Sequence, residues 1–200
     1  MFPIIYDRVV TLRALLAEHG VRETATVGNR VGILALHGGL EAGTSEIAQA
    51  AAERCGAGLY TVDQPAALAW HVPSIEYHPG HSTGLDRVLS SIDVAVSLHG
   101  YGRPHLRPAV LLGGGNRWLA SALARYLRYR GVPVIDRLEE IPAGLRGLHA
   151  ANPVNLPPGG GVQVELPVGA RQGDSAEAVV VAIIALAALS GPTSVGIPPR

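Results

Sequence analysis

The sequence predicts an α/β fold: a single-domain layered sheet, mixed or mostly parallel, flanked by helices. Three observations predict it. Short β-rich runs alternate with amphipathic stretches along the chain. Two of those runs, 31–36 (VGILAL) and 92–98 (IDVAVSL), are apolar almost throughout, as strands buried on both faces are. Finally, 200 residues that are 48% hydrophobic and 16% charged supply a sizeable core and exclude a disordered chain.

In chain order, 31–36 is a strand bounded by Asn29 and Gly38. Residues 44–55 form a helix, with Thr44 or Ser45 to cap it, Glu46 in its first turn and Gly56 to stop it. Residues 59–62 and 69–72 are weaker strands, and 85–91 is a short helix. Residues 92–98 and 109–112 are strands, the second ended by Gly113, Gly114 and Gly115. From 116 to 130 the period is helical, with Leu119, Leu123 and Leu127 on one stripe. A strand over 132–135 follows Gly131, which ends the helix. Residues 161–166 (GVQVEL) alternate as a strand does, and 175–189 is a helix apolar nearly all round, hence buried. One domain over 1–190 and a Pro-rich tail over 191–200 are expected.

Composition removes several functions. The formal net charge is zero, which argues against nucleic acid, because affinity for it rests on phosphate neutralisation. There is no lysine, so neither a Schiff base nor a phosphate loop ending in Gly-Lys exists. The single cysteine, Cys55, permits no internal disulfide and reads as core. The longest apolar run, 178–189, falls short of the roughly 20 residues a membrane helix needs. Residues 1–8 lack a signal-peptide pattern, so a cytoplasmic location away from membranes is expected.

Open α/β sheets build their sites at the carboxyl ends of strands. Three strand ends carry a polar residue in apolar text: His37 with Glu41 close behind, His99 before Gly100, and Glu165 in GVQVEL. Each is costly to bury unless it is paired or bound to a metal. Two histidines and one carboxylate make a three-ligand catalytic zinc site with an open position, and a further carboxylate serves as general base. Asp93 and Asp63 are candidates to orient the imidazoles. The glycine run 113–115 with Asn116 reads as a tight turn or a carboxylate site rather than a nucleotide cradle, since GxGxxG spacing is missing.

The ordered motifs HGGLEAGTSEIA (37–48), SLHG (97–100) and GGVQVEL (160–166) resemble those of the zinc-dependent poly-γ-glutamate hydrolase family. Asn152 and Asn155 before the last motif and Arg171 after it extend the resemblance, which runs from about Val31 to Arg171. It implies a carboxypeptidase-like fold and hydrolysis of γ-glutamyl amide bonds in an anionic polymer. His37, Glu41 and His99 then match the zinc ligands, and Glu165 matches the catalytic glutamate. The family usually has one more residue between the first His and the Glu, which leaves Glu46 as the alternative ligand. Arginine forks suit the free α-carboxylates of such a substrate, making Arg117, Arg171 and Arg103 candidates. His71 and His81 match a histidine-bearing region on the substrate side, whereas His78 departs from the pattern. Tyr101 is a candidate proton donor, or else packs. His19, His105 and His149 have no motif around them. The same site would also serve a deacylase of small N-acyl amino acids, and a non-catalytic binding module on this fold is the remaining alternative.

Overall fold

The computed structural model describes residues 10–103 and 106–190. The expected tail over 191–200, the N-terminal residues 1–8 and His105 lie outside them. In order the elements are α1 (Leu12–Leu16), β1 (Arg22–Thr26), β2 (Val31–Gly38), α2 (Thr44–Cys55), β3 (Gly58–Asp63) and α3 (Thr83–Ser91). Then come β4 (Val94–Tyr101), β5 (Val110–Leu112), α4 (Arg117–Tyr129), β6 (Val134–Ile135), β7 (Gly161–Pro167) and α5 (Gly173–Ser190).

The seven strands form one mixed sheet in the order β1-β3-β2-β4-β7-β5-β6. Strands β3, β2, β4 and β7 run parallel and make the centre. β1 closes one edge antiparallel to β3, and β5 lies antiparallel to β7 at the other side. β2 is apolar on both faces because both are covered, whereas β4 and β7 turn buried polar residues to the second face. On one face Ile33, Val96, Leu98 and Val164 pack against the inner stripes of α2, α4 and α5. On the other, Leu34, Leu36 and Ala95 pack against α1, α3 and the fully buried Tyr60 and Tyr77.

Local chemistry explains the element ends. Asn116 Oδ1 accepts from Leu119 N at 3.0 Å and starts α4, whose Leu119, Leu123 and Leu127 are buried as the period predicts. α2 ends at Gly56 in the left-handed region. Its N-cap is Gly43 at φ 94°, not Thr44 or Ser45; the Thr44 hydroxyl instead donates to the Glu41 carbonyl at 2.8 Å. Cys55 is half-buried against the larger core cluster, as expected.

Two differences from the sequence reading have physical causes. Residues 69–72 are not a strand, because their backbone groups bond to side chains rather than to a neighbouring strand. β1 (RETAT) carries no apolar run, and it is a strand because the antiparallel ladder to β3 satisfies its backbone.

Candidate metal centre

The parallel strands β2, β4 and β7 bring His37, His99 and Glu165 to one end of the sheet. His99 and Glu165 are direct register partners on β4 and β7, as are Ser97 and Gln163 two residues earlier. All four side chains therefore share one sheet face. His37 reaches that face through an irregularity. Between Ala35 and Gly38 the pairing with β3 slips, so β2 carries one extra residue there. A bulge of this kind re-aims a side chain, and it turns His37 away from the α2 side to meet His99.

Glu41 arrives by a tight turn. Its backbone N–H donates to the His37 carbonyl at 2.8 Å, and Gly39 takes φ 79°. A Cβ on Gly39 would lie 2.0 Å from the Gln64 carbonyl oxygen, so only glycine fits. The Glu41 carboxylate then sits beside both imidazoles. His37 Nδ1 lies 3.0 Å from Oε1, His99 Nδ1 lies 3.7 Å from Oε2, and the two Nδ1 atoms are 3.3 Å apart. The backbone N–H of Gly100 donates to Oε2 at 2.8 Å.

The outer ring nitrogens are tied. His37 Nε2 lies 2.8 Å from the Val72 carbonyl, which only accepts, so Nε2 carries a proton and Nδ1 is the atom left to bind. His99 Nε2 lies 3.0 Å from the Ser97 hydroxyl. These partners take the orienting role expected of Asp93 or Asp63. Asp93 instead pairs with Arg30 at the surface (Nε to Oδ2, 2.8 Å), and Asp63 accepts from Thr61 Oγ1 at 3.2 Å.

Two imidazole nitrogens 3.3 Å apart, with one carboxylate whose Oε1 lies 3.0 Å from His37 and whose Oε2 lies 3.7 Å from His99, make a group of the size a tetrahedral metal site such as that of zinc needs. Metal–ligand bonds of about 2.0–2.1 Å place its ligand atoms roughly 3.3 Å apart. Two imidazole nitrogens at such a distance also cannot both aim protons at each other. Donor atoms of His37, Glu41 and His71 likewise lie within 4.8 Å of one another. His37 and His99 are buried, whereas His71 is exposed at the rim, its ring centroid 4.9 Å from that of His37. Glu46 is exposed in the first turn of α2.

Electrostatics follow from burial and crowding. Burial pushes the Glu41 carboxyl up, but hydrogen bonds to His37 and His99 outweigh it and hold the group far below the usual range. Burial lowers His99, yet Glu41 and Glu165 raise it more. Glu165 is pushed up, first by burial. Its Oε1 accepts from Gln163 Nε2 at 2.9 Å, and Gln163 Oε1 in turn accepts from the buried Asn152 at 2.9 Å.

Of the candidate substrate residues, Arg171 is at the site. A Cβ on Gly100 would lie 2.7 Å from its Nη1, which donates to the Ala42 carbonyl at 3.0 Å. Its Nε is buried without a hydrogen-bond partner among the described residues. Arg103 is exposed just past the end of β4. Arg117 lies elsewhere. Because β5 runs antiparallel to β7, its end points away from the site, and Arg117 donates there to the carbonyls of Gly114, Leu112 and Asp136. His81 lies tilted against His78 (centroids 5.6 Å) and lines a separate cavity of about 640 Å³ with Arg13 and Glu23. Tyr101 packs, its hydroxyl donating to the Ala109 carbonyl at 2.7 Å. The N–H groups of Gly113, Gly114, Gly115 and Asn116 are all bonded within the protein, so the glycine run is a turn and presents no anion cradle.

Sequence reasoning missed Ser97, Gln163 and Gln64. A signal for the first two was present: each stands two residues before a site residue on a strand, hence on its face.

Among the described residues no helix is long and apolar enough to cross a membrane. No curated protein is detectably similar in sequence. The fold is similar to that of a bacteriophage poly-γ-glutamate hydrolase (TM-score 0.72, 22% identity, 85% of this chain and 89% of that one). It is equally similar to YNDL in its zinc-free apo form (TM-score 0.72, 20% identity, 85% and 90% covered). A gene product of Agrobacterium tumefaciens, Atu2144, is more distant (TM-score 0.52, 13% identity, 85% and 94% covered). Residues 10–174 match the family model of poly-γ-glutamate hydrolase. With the match spanning most of the sequence, the chain belongs to the poly-γ-glutamate hydrolase family.

Proposed function

We propose that this protein is a zinc-dependent hydrolase of γ-glutamyl amide bonds, with His37, Glu41 and His99 as the metal ligands and Glu165 as the general base. The observation that carries the reading is the convergence of His37 Nδ1, His99 Nδ1 and the Glu41 carboxylate within 3.0–3.7 Å, with both Nε2 atoms tied behind them. The zinc-free state of the similar YNDL names the metal to try first. When bound, zinc lowers the pKa of a coordinated water toward ~7 and polarises a carbonyl.

The chain's own residues do the rest. Glu165 is buried at 3% exposure beside His99, and burial raises its proton affinity, as suits a base working near neutrality. Gln163 holds its Oε1, which leaves Oε2 to take a proton from the attacking water and return it to the leaving amine. His37 and His99 keep their orientation because Val72 and Ser97 fix their outer nitrogens. Arg171, beside Glu41 and Gly100, is the cation placed to pair with a substrate α-carboxylate, with Arg103 further out. The chain carries no net charge, so recognition of an anionic polymer rests on these local arginines.

The test is hydrolysis of poly-γ-glutamate followed by product sizing. Activity that a chelator abolishes and zinc restores is expected, with short γ-glutamyl oligomers as products. An intact polymer alongside turnover of small N-acyl amino acids would replace the substrate assignment.

A further inference from the structure

Behind Glu165 lie two buried amide side chains, and two backbone groups decide which way they point. The N–H of the fully buried Val154 donates to Asn152 Oδ1 at 3.2 Å. An N–H only donates, so the atom facing it is the amide oxygen, and the Asn152 nitrogen faces the other way. That nitrogen, Nδ2, donates to Gln163 Oε1 at 2.9 Å. Gln163 Nε2 is thereby turned to Glu165 Oε1, 2.9 Å away, and to the Leu145 carbonyl at 3.4 Å. A carbonyl only accepts, so Leu145 fixes the same orientation from the far end. Asn152 and Gln163 are each 4% exposed and Glu165 3%, so water does not replace these bonds.

A flipped Gln163 amide would set oxygen against the Glu165 carboxylate, oxygen against the Leu145 carbonyl and nitrogen against Asn152 Nδ2. Three like-against-like contacts among buried groups exclude that arrangement. The amide is also closely packed: Gly147, at φ 61°, lies so near that a Cβ there would be 2.3 Å from Gln163 Oε1. The loop carrying Asn152 is itself fastened. Asn155 Nδ2 donates to the carbonyls of Gly147 at 2.7 Å and His149 at 3.0 Å, and its Oδ1 accepts from Gly115 N at 2.9 Å. Among the described residues nothing donates a hydrogen bond to Glu165 Oε2.

We infer that Asn152 is a positioning residue for the reaction: through Gln163 it keeps a donor on Glu165 Oε1, so that Oε2 alone is open to a proton. The inference rests on the proposed reading of Glu165 as general base and deepens it. A carboxylate free to use either oxygen can strand a proton on its buried side. With Oε1 closed by an N–H, the proton that Glu165 takes from the attacking water is carried on Oε2 and passes from Oε2 to the departing amine. Positioning of this kind acts on turnover rather than on substrate binding.

The experiment compares Asn152→Ser, Gln163→Met and the double variant. Serine keeps a cap on residues 153–155 but is too short to reach Gln163. One readout is poly-γ-glutamate hydrolysis by the zinc-loaded protein. The other, on zinc-free protein, is solvent exchange of the Gln163 side-chain amide by NMR, assigned by its absence from Gln163→Met. In wild type that amide should exchange slowly, as a bonded group inside the protein does. In Asn152→Ser its exchange should quicken and kcat should fall, each about tenfold, with KM within about threefold and zinc content unchanged. Gln163→Met should lower kcat about 10²-fold, since it removes the bond to the carboxylate itself, and the double variant should be no worse. Unchanged kcat in Asn152→Ser, losses that multiply in the double variant, or rapid exchange in wild type would each overturn the inference. So would loss of zinc from Asn152→Ser, which would make the effect one on the whole site. If wild type neither binds zinc nor cleaves the polymer, the reading of Glu165 as base fails and the inference with it, while amide exchange still shows separately whether Asn152 orients Gln163.

Discussion

Glu41 Oε2 accepts the backbone N–H of Gly100 at 2.8 Å, which ties the carboxylate of the β2–α2 turn to the residue that follows His99 on β4. This bond locks the shortened HGGLE turn to the neighbouring strand. Of the two acids, Glu41 lies beside the histidines, and Glu46 is exposed in the first turn of α2. Glu41→Gln should therefore sharply reduce metal occupancy, measured by elemental mass spectrometry, and Glu46→Gln should leave it unchanged.

Glu165→Gln should keep the metal and lose the reaction. The amide is nearly isosteric and can still accept from Gln163, but it cannot take a proton from water. A fall in kcat of about 10²–10⁴-fold is expected at full zinc content. Loss of zinc in this variant would make Glu165 a ligand.

The metal-free protein should be most stable in mildly acidic solution. Despite burial, hydrogen bonds to His37 and His99 depress Glu41, so its contribution is complete above the unfolded value of about 4.3 and lost as pH falls below it. His99 is raised by Glu41 and Glu165 in spite of its burial. Its contribution is complete below the unfolded value of about 6.5 and lost as pH rises through the folded one. Glu165, pushed up by burial, takes stability away as pH rises above the unfolded value of about 4.3, so thermal melts of the metal-free protein should peak in the mildly acidic range, below about pH 6.5. Zinc affinity should instead climb with pH, because the metal displaces the imidazole proton.

Arg117→Ala should weaken the fold and spare the reaction. Its guanidinium serves three backbone carbonyls at the end of the sheet opposite the site. Leaving buried acceptors unmet costs about 1–3 kcal/mol, readable in urea denaturation. KM for poly-γ-glutamate should be unchanged, while Arg171→Ala, beside Glu41, should raise it.

Much of this arrangement was legible from residues alone. Polar residues ending apolar runs marked His37 and His99, and GVQVEL, read as a strand, carried Glu165 near its carboxyl end. Strand direction was not legible. The turn at 113–116 looked like a site edge, yet antiparallel pairing of β5 with β7 sends Arg117 to the far end. The 64–73 segment was opaque for another reason. Its order comes from Gln64 and from the Val72 carbonyl, long-range partners that leave no periodicity, so it passed for a weak strand. The aspartates expected behind the histidines were likewise displaced by a carbonyl and a hydroxyl, groups that nearly any sequence offers.

The central claim is that His37, Glu41 and His99 hold one metal ion. Its most direct test is zinc content by elemental mass spectrometry on tag-free wild type beside His99→Ala. About one zinc per chain in wild type, lost in the variant, is the predicted result for a three-ligand site. Wild type that stays metal-free after incubation with zinc, or a variant that keeps full occupancy, would contradict it.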